Sequence, residues 1–164
     1  MAKPNKLQVL GIDPGLRVAG YGCVVYNRSN PHPTLVEAGA IKLDTSKSVS
    51  LRLRQLWTDI TQIIAELSPD IVAVETVFSQ ARQVGSAITL GHARGVILLA
   101  VEQAGLPLVE LAPAEIKKAI TGNGRSSKTQ IQQAVAHVLN LEDVPEPSDV
   151  ADALAIGITG ALRS

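Results

Sequence analysis

The stretch DIVAVETVF (residues 70–78) places a glutamate where glutamate is costly. Ile71, Val72, Ala73 and Val74 form a short apolar run, the pattern of a strand buried on both faces. Glu75 sits at the carboxyl end of that run. Strands disfavour Glu, and a carboxylate is rarely buried without a partner. The same arrangement occurs earlier in LQVLGIDPG (residues 7–15), where an apolar strand ends in Asp13 just before Pro14-Gly15.

The remaining elements are read outward from these two strands. VAGYGCVVY (18–26) and TLVEAGAIKL (34–43) read as strands separated by the loop NRSNPHP, so that with residues 7–13 they form an antiparallel meander. A helix is expected from about Ser48 to Leu67, with Leu53, Leu56, Trp57, Ile60, Ile63, Ile64 and Leu67 on one apolar stripe. That stripe assigns Trp57 to the core. After the Glu75 strand and a polar loop, a long helix is expected over 84–103, then a short strand at 106–111. Three helices follow, at about 113–121, from a Ser126 or Ser127 cap to about Leu139, and at 148–162. The order βββαβα followed by β and three helices predicts an α/β fold, a mixed sheet of five strands flanked by helices.

The chain has 164 residues, 46% hydrophobic and 18% charged, a length and composition expected of one globular domain over 1–164. Residues 1–6 and 163–164 are expected to be flexible ends. No window reaches the roughly 18 consecutive apolar residues of a membrane span, so no membrane partner is expected. The longest apolar run, GVILLAV, is bracketed by Arg94 and Glu102. MAKPNK has no hydrophobic stretch behind its lysines, which argues against a signal peptide. The single Cys23 excludes an internal disulfide and fits a cytoplasmic location. Net charge is zero, yet Ile116 to Leu141 contains no acid and carries Lys117, Lys118, Arg125 and Lys128. The mean charge thus conceals a basic patch, as a nucleic-acid partner would require.

In mixed α/β sheets, sites form where the carboxyl ends of strands open into a crevice. Asp13 and Glu75 each occupy such an end. PSDVADALAIG adds Asp149 and Asp152, three residues apart and so on one helical face within the first turns. Singly, Asp149 could serve the helix dipole and Asp13 a turn. Four acids around one crevice would repel, and one or more would take up a proton unless a cation were present. Oxygen-only ligands suit Mg²⁺ or Mn²⁺, and the scattered Cys23, His32, His92 and His137 offer no competing cluster.

GIDPGLRVAGYG, VAVETVF, GHARG and SDVADALAIG, in this order and spacing, resemble the RuvC-type Holliday junction resolvases over residues 7 to about 161. The resemblance implies an RNase H-like fold and a homodimer. It further implies a metal-dependent endonuclease that nicks two opposed strands of a four-way DNA junction in recombination and repair, with a branch-migration helicase complex as partner. It places the family's acidic ligands on Asp13, Glu75, Asp149 and Asp152, its functional lysines on Lys117 and Lys128, and its junction-probing aromatic on Phe78. Arg82, in the loop after Phe78, together with Lys118 and Arg125, completes the candidate DNA contacts. In such a site two ions about 4 Å apart, Mg²⁺ or Mn²⁺, would activate water and stabilise the leaving oxygen, giving 5′-phosphate and 3′-hydroxyl ends. The small residues Gly85, Gly91 and Gly95 on the long helix are candidates for the dimer contact.

Other readings are weaker. GIDPGLRVAGYG also resembles the phosphate hairpin of actin-like ATPases and sugar kinases, which need two such domains. A non-catalytic junction-binding module would not need all four acids. GNGRSSKT lacks the second glycine of a phosphate loop and follows a helix.

Overall fold

Strand periodicity governs the whole arrangement, because it sends alternate residues to opposite faces of one sheet. The computed structural model describes residues 5–76 and 84–164. Its elements are β1 (Lys6–Asp13), β2 (Val18–Asn27), β3 (Asn30–Lys42), α1 (Val49–Leu67), β4 (Ile71–Glu75), α2 (Val84–Gln103) and β5 (Leu108–Leu111), followed by α3 (Pro113–Thr121), α4 (Lys128–Val138) and α5 (Ser148–Arg163). The five strands lie in the order β3-β2-β1-β4-β5. The expected meander is present, since β1–β2 and β2–β3 pair antiparallel. β4 lies parallel between β1 and β5, which makes the sheet mixed as expected.

Two cores result. Leu10, Ile12, Val72 and Val74 pack with α1 and α2 on one face, whereas Val9, Val24 and Ala73 pack with α3, α4 and α5 on the other. Each fully buried aliphatic side chain stabilises the fold by about 1.5–3 kcal/mol relative to exposure. Val72, Ala73 and Val74 are fully buried, as the apolar run predicts. By alternation Asp13 shares the face of Val9 and Gly11, and Glu75 shares the face of Ala73, so both acids belong to the α5 side.

α5 is buried from Val150 to Ala161 with Asp152 as the half-buried exception. It approaches the sheet too closely for side chains beneath it. A Cβ on Gly11 would lie 2.1 Å from the Ala153 carbonyl oxygen and 2.3 Å from the Gly157 nitrogen. One on Gly20 would lie 2.0 Å from the carbonyl oxygen of Asp149.

Several expectations are corrected. The loop placed at NRSNPHP shrinks to Arg28-Ser29, where the Asn27 side-chain oxygen accepts from the Ser29 amide at 3.1 Å and hydroxyl at 2.7 Å. β3 can begin at Asn30 despite its prolines because it is an edge strand, which tolerates lost donors. β5 begins at Leu108 rather than 106. Trp57 is not core: it is 36% exposed, and its indole N–H donates to Gln103 Oε1 at 2.9 Å on the surface between α1 and α2. Leu56, Ile60 and Ile64 fill the interior of that stripe, which is narrower than the hydrophobic pattern suggests.

α2 holds no unbroken run of about 18 apolar residues, yet by length and composition it is long and apolar enough to cross a membrane. It is instead a packed helix of the domain through Ala93, Ile97, Ala100 and Val101. Val84, Ile88, Gly91, Gly95 and Leu99 lie four or three residues apart on its other side, all exposed. A Cβ on Gly85, Gly91 or Gly95 would meet nothing within 4 Å.

The seam under α5 predicts that Gly11→Ala destabilises the protein by at least about 1–3 kcal/mol, the usual range for overpacking, since backbone rather than a movable side chain is in the way. Denaturant unfolding measures this; a midpoint equal to that of the parent would refute the close contact.

Candidate active site

β1 and β4 are parallel neighbours with Ile12 opposite Val74. One step further along, Asp13 and Glu75 end their strands side by side, because parallel strands finish at the same edge of the sheet. The Asp149 carbonyl sits against Gly20, in the residue of β2 paired with Asp13. That contact fixes the first turn of α5, so Asp152 comes to stand over the two strand ends. The resulting cleft, about 230 Å³, is lined by Asp13, Glu75 and Asp152, by Lys117 and Lys128, and by Ile116, Ile131 and Ile156.

The electrostatics are those of like charges crowded against an apolar floor. Burial, and then repulsion from Asp152, Asp149 and Glu75, pushes the Asp13 carboxyl up to about 8, with Lys128 pulling the other way. Glu75 is raised by burial and by Asp152, while Lys117 opposes the shift. The Lys128 ammonium donates to Asp152 Oδ2 at 3.0 Å. Its own desolvation lowers its pKa, yet Asp152, Asp149 and Asp13 outweigh that and hold it above the ordinary lysine value.

The structure therefore brings Asp13, Glu75, Asp152, Lys117 and Lys128 together. Asp149 does not line the cleft, although its charge acts on Asp13 and Lys128. Lys118 and Arg125 are exposed outside it, on α3 and in the α3–α4 loop. Phe78 and Arg82 lie outside the described residues. α4 begins with a capping box, Ser127 with Gln130, which starts the helix at Lys128 and directs that side chain to the acids.

A divalent cation fits this donor set by its chemistry, because the groups are hard oxygens whose mutual repulsion a cation would relieve. Among the described residues, no three Asp, Glu, His or Cys side chains close on one point as they stand. Asp152 is engaged by Lys128 instead.

One contact was missed from sequence. Arg94, which stands in GHARG and bounds an apolar run but was given no role there, donates from Nε to the Glu75 carbonyl at 3.3 Å and pairs through its terminal nitrogen with the Glu110 carboxylate. The available signal was a single arginine inside an otherwise apolar helix. Thr76 secures the next residue, its amide and hydroxyl donating to the Leu111 carbonyl at 2.8 and 3.2 Å.

The family model described as crossover junction endodeoxyribonuclease RuvC matches residues 9–160. The crossover junction endodeoxyribonuclease RuvC of Rhodopirellula baltica is 47% identical over 160 residues, covering 97% of this chain and 89% of that protein. Its counterpart in Caldicellulosiruptor saccharolyticus is 41% identical, covering 96% and 94%. Among solved structures, Thermus thermophilus RuvC in complex with a Holliday junction substrate superposes with a TM-score of 0.89 at 31% identity, covering 96% of this chain and 94% of that one. The yeast mitochondrial Holliday junction resolvase Ydc2 shares the fold at 12% identity, with a TM-score of 0.65 over 93% and 78% of the two chains.

Asp13 makes stability depend on pH when no cation is bound. In the unfolded chain it ionises near 3.8, whereas in the folded chain it keeps its proton up to about 8. Folding retains a proton in that window, so stability falls as pH rises through it. In chelator, the melting temperature should decline from pH 4 towards pH 8, and Asp13→Asn should flatten the decline and melt higher at pH 8. Equal slopes in the two proteins would remove Asp13 as the cause.

Proposed function

The chain belongs to the RuvC family of crossover junction endodeoxyribonucleases, and from that premise we propose how its residues cut DNA. It is a divalent-metal-dependent endonuclease that resolves Holliday junctions by hydrolysing phosphodiester bonds. The observation that carries the site assignment is the convergence of Asp13, Glu75 and Asp152 with Lys117 and Lys128 in one cleft. Residues 1–164 act as one nuclease domain, with one such cleft among the described residues.

Asp13, Glu75 and Asp152 would hold the metal through carboxylate oxygens, and Asp149, the fourth ligand that the family resemblance implies, adds charge from the first turn of α5. Two Mg²⁺ or Mn²⁺ ions held there would supply activation of the attacking water and charge stabilisation of the leaving 3′ oxygen, giving 5′-phosphate and 3′-hydroxyl ends. Lys117 and Lys128 face the same space from α3 and α4 and neutralise the scissile phosphate. As the phosphate enters, Lys128 exchanges its partner Asp152 for a phosphate oxygen. That exchange would leave the Asp152 carboxylate available as a metal ligand. Phe78 stacks at the junction centre, and Arg82, Lys118 and Arg125 contact the backbone around it. The Ile116, Ile131 and Ile156 side chains supply the apolar part of the cleft lining.

One cleft makes one nick, and resolution needs two opposed nicks. A C₂ homodimer supplies the second and matches the two-fold symmetry of the junction. The exposed stripe Val84, Ile88, Gly91, Gly95 and Leu99 supports α2 as its contact. A branch-migration helicase complex as partner rests on the family resemblance alone.

The decisive experiment incubates a synthetic four-way junction and a matching duplex with protein and Mg²⁺. Paired nicks near the centre of the junction, and none in the duplex, are expected. Asp13→Asn and Glu75→Gln should each slow cleavage by more than about 100-fold while leaving junction affinity unchanged, the magnitude expected when a metal ligand is lost. Cleavage by either near the parent rate would refute the metal assignment, and binding without cleavage by the parent would leave a junction-binding module.

Lys117→Ala and Lys128→Ala should weaken binding and reduce its salt slope by about one counterion each if they meet phosphate. Unchanged slopes and turnover would return them to ordinary surface. Gly91→Leu extends into open space within one chain, so the fold should survive it. In light scattering it should shift the protein towards monomer; an intact dimer that still makes paired nicks would move the interface elsewhere.

A further inference from the structure

Arg94 lies on α2, on the opposite side of the sheet from the cleft. Glu75 and Ala73 point to the α5 face, whereas α2 packs on the face of Ile12 and Val74. The guanidinium therefore cannot join the carboxylates. It reaches the backbone of the same residue instead, with Nε donating to the Glu75 carbonyl at 3.3 Å. Its terminal nitrogen is paired with Glu110, on the outermost strand β5. The arginine side chain is 18% exposed and that of Glu110 48%, so the pair is neither fully dry nor free in water.

This contact closes a bracket around the end of β4. Thr76 is tied to the Leu111 carbonyl by both its amide and its hydroxyl. Leu111 is the β5 partner of Glu75. The Glu110 carbonyl also accepts from Arg163 Nη1 at 2.8 Å, at the far end of α5. Rotation of the Glu75 peptide would swing its side chain in the cleft, and with Arg94 and Thr76 in place that rotation breaks hydrogen bonds on both sides. Lysine could not do the same: it is a point charge, whereas the guanidinium fork serves a carbonyl and a carboxylate at once.

We propose that Arg94 is a positioning residue for the nuclease reaction, clamping the Glu75 backbone from the α2 face so that its carboxylate is aimed at the metal. The inference rests on the assignment of Glu75 as a metal ligand. It also gives α2, the helix that follows the segment containing Phe78 and Arg82, a direct mechanical link to the chemistry. Groups that support metal ligands from behind typically change metal affinity or activity by about 10–100-fold when removed.

The test uses the full chain and its Arg94→Gln, Arg94→Lys and Glu110→Gln variants. Mn²⁺ binding to the DNA-free protein is measured by electron paramagnetic resonance, alongside single-turnover junction cleavage and junction affinity in chelator. Arg94→Gln should weaken Mn²⁺ binding and slow cleavage by about tenfold or more while junction affinity stays within about twofold. Arg94→Lys should fall between it and the parent. Glu110→Gln, a change at a half-exposed side chain, should give a smaller loss in the same direction, and it decides the question if Arg94→Gln fails to fold. A parent protein that cleaves, beside an Arg94→Gln or Glu110→Gln variant with parental Mn²⁺ affinity and rate, overturns the inference and leaves the nuclease reading intact. A parent that neither binds Mn²⁺ nor cleaves overturns both. Loss of melting temperature alone, with parental Mn²⁺ affinity in the folded protein, reduces Arg94 to a structural role and also overturns it.

Discussion

The closeness of α5 to β1 and β2 is the constraint from which the site follows. A helix usually stands off a sheet by the thickness of two side-chain layers. Here the Ala153 carbonyl and the Gly157 amide would lie within 2.3 Å of any Cβ on Gly11, and the Asp149 carbonyl would lie 2.0 Å from one on Gly20. Glycine in a strand weakens it through backbone entropy and lost packing. That loss is offset by the burial of α5 from Val150 to Ala161. The gain is positional. With its first turn pressed against β2, the helix has no freedom to lift Asp152 away from the ends of β1 and β4, and three elements distant in sequence present acids to one cleft.

The same closeness creates the electrostatic problem that the site exploits. Carboxylates are brought together beside Ile116, Ile131 and Ile156, and the burial of Asp13 and Glu75 weakens their screening by water. The push of Asp13 to about 8 expresses how unfavourable its charged form is among those neighbours. Lys128 and Lys117 relieve part of the charge, each acting chiefly on a different acid: Lys128 pairs with Asp152, and Lys117 pulls against the shift of Glu75. A fold selected for stability alone would replace such a cluster with apolar residues. Carboxylates and lysines gathered beside apolar side chains suit a multivalent cation and a phosphate better than a monovalent salt.

Much of this was legible in the sequence because the strands are short and their periods clean. An acid two residues after Gly11 and another two after Ala73 must share a face with them, whatever the sheet order. The i, i+3 spacing of Asp149 and Asp152 likewise fixed their common helical face. What could not be read was adjacency: nothing local says that β4 inserts beside β1, or that the Asp149 carbonyl is pressed against Gly20 of β2. Trp57 misled because an apolar stripe records which residues could be buried, whereas the depth of the α1–α2 groove decides which are. The prolines of β3 misled because proline excludes a central strand but not an edge one. Arg94 was hidden by its setting, among small residues whose meaning lay in packing. Its partner is a backbone carbonyl, which leaves no mark on the sequence.

The two faces of the sheet carry different duties, and the end of β4 is where they meet. On the α5 face lie the acids, the lysines and the apolar floor. On the other, α2 buries Ala93 and Ile97 inward and leaves Val84, Ile88 and Leu99 exposed outward. An apolar stripe that broad is costly to leave against water, and in the proposed dimer a second copy covers it. Assembly and chemistry are then separated by one layer of strands. The end of β4 ties the two faces together, its Glu75 carbonyl accepting from Arg94 of α2 while its carboxylate lines the cleft.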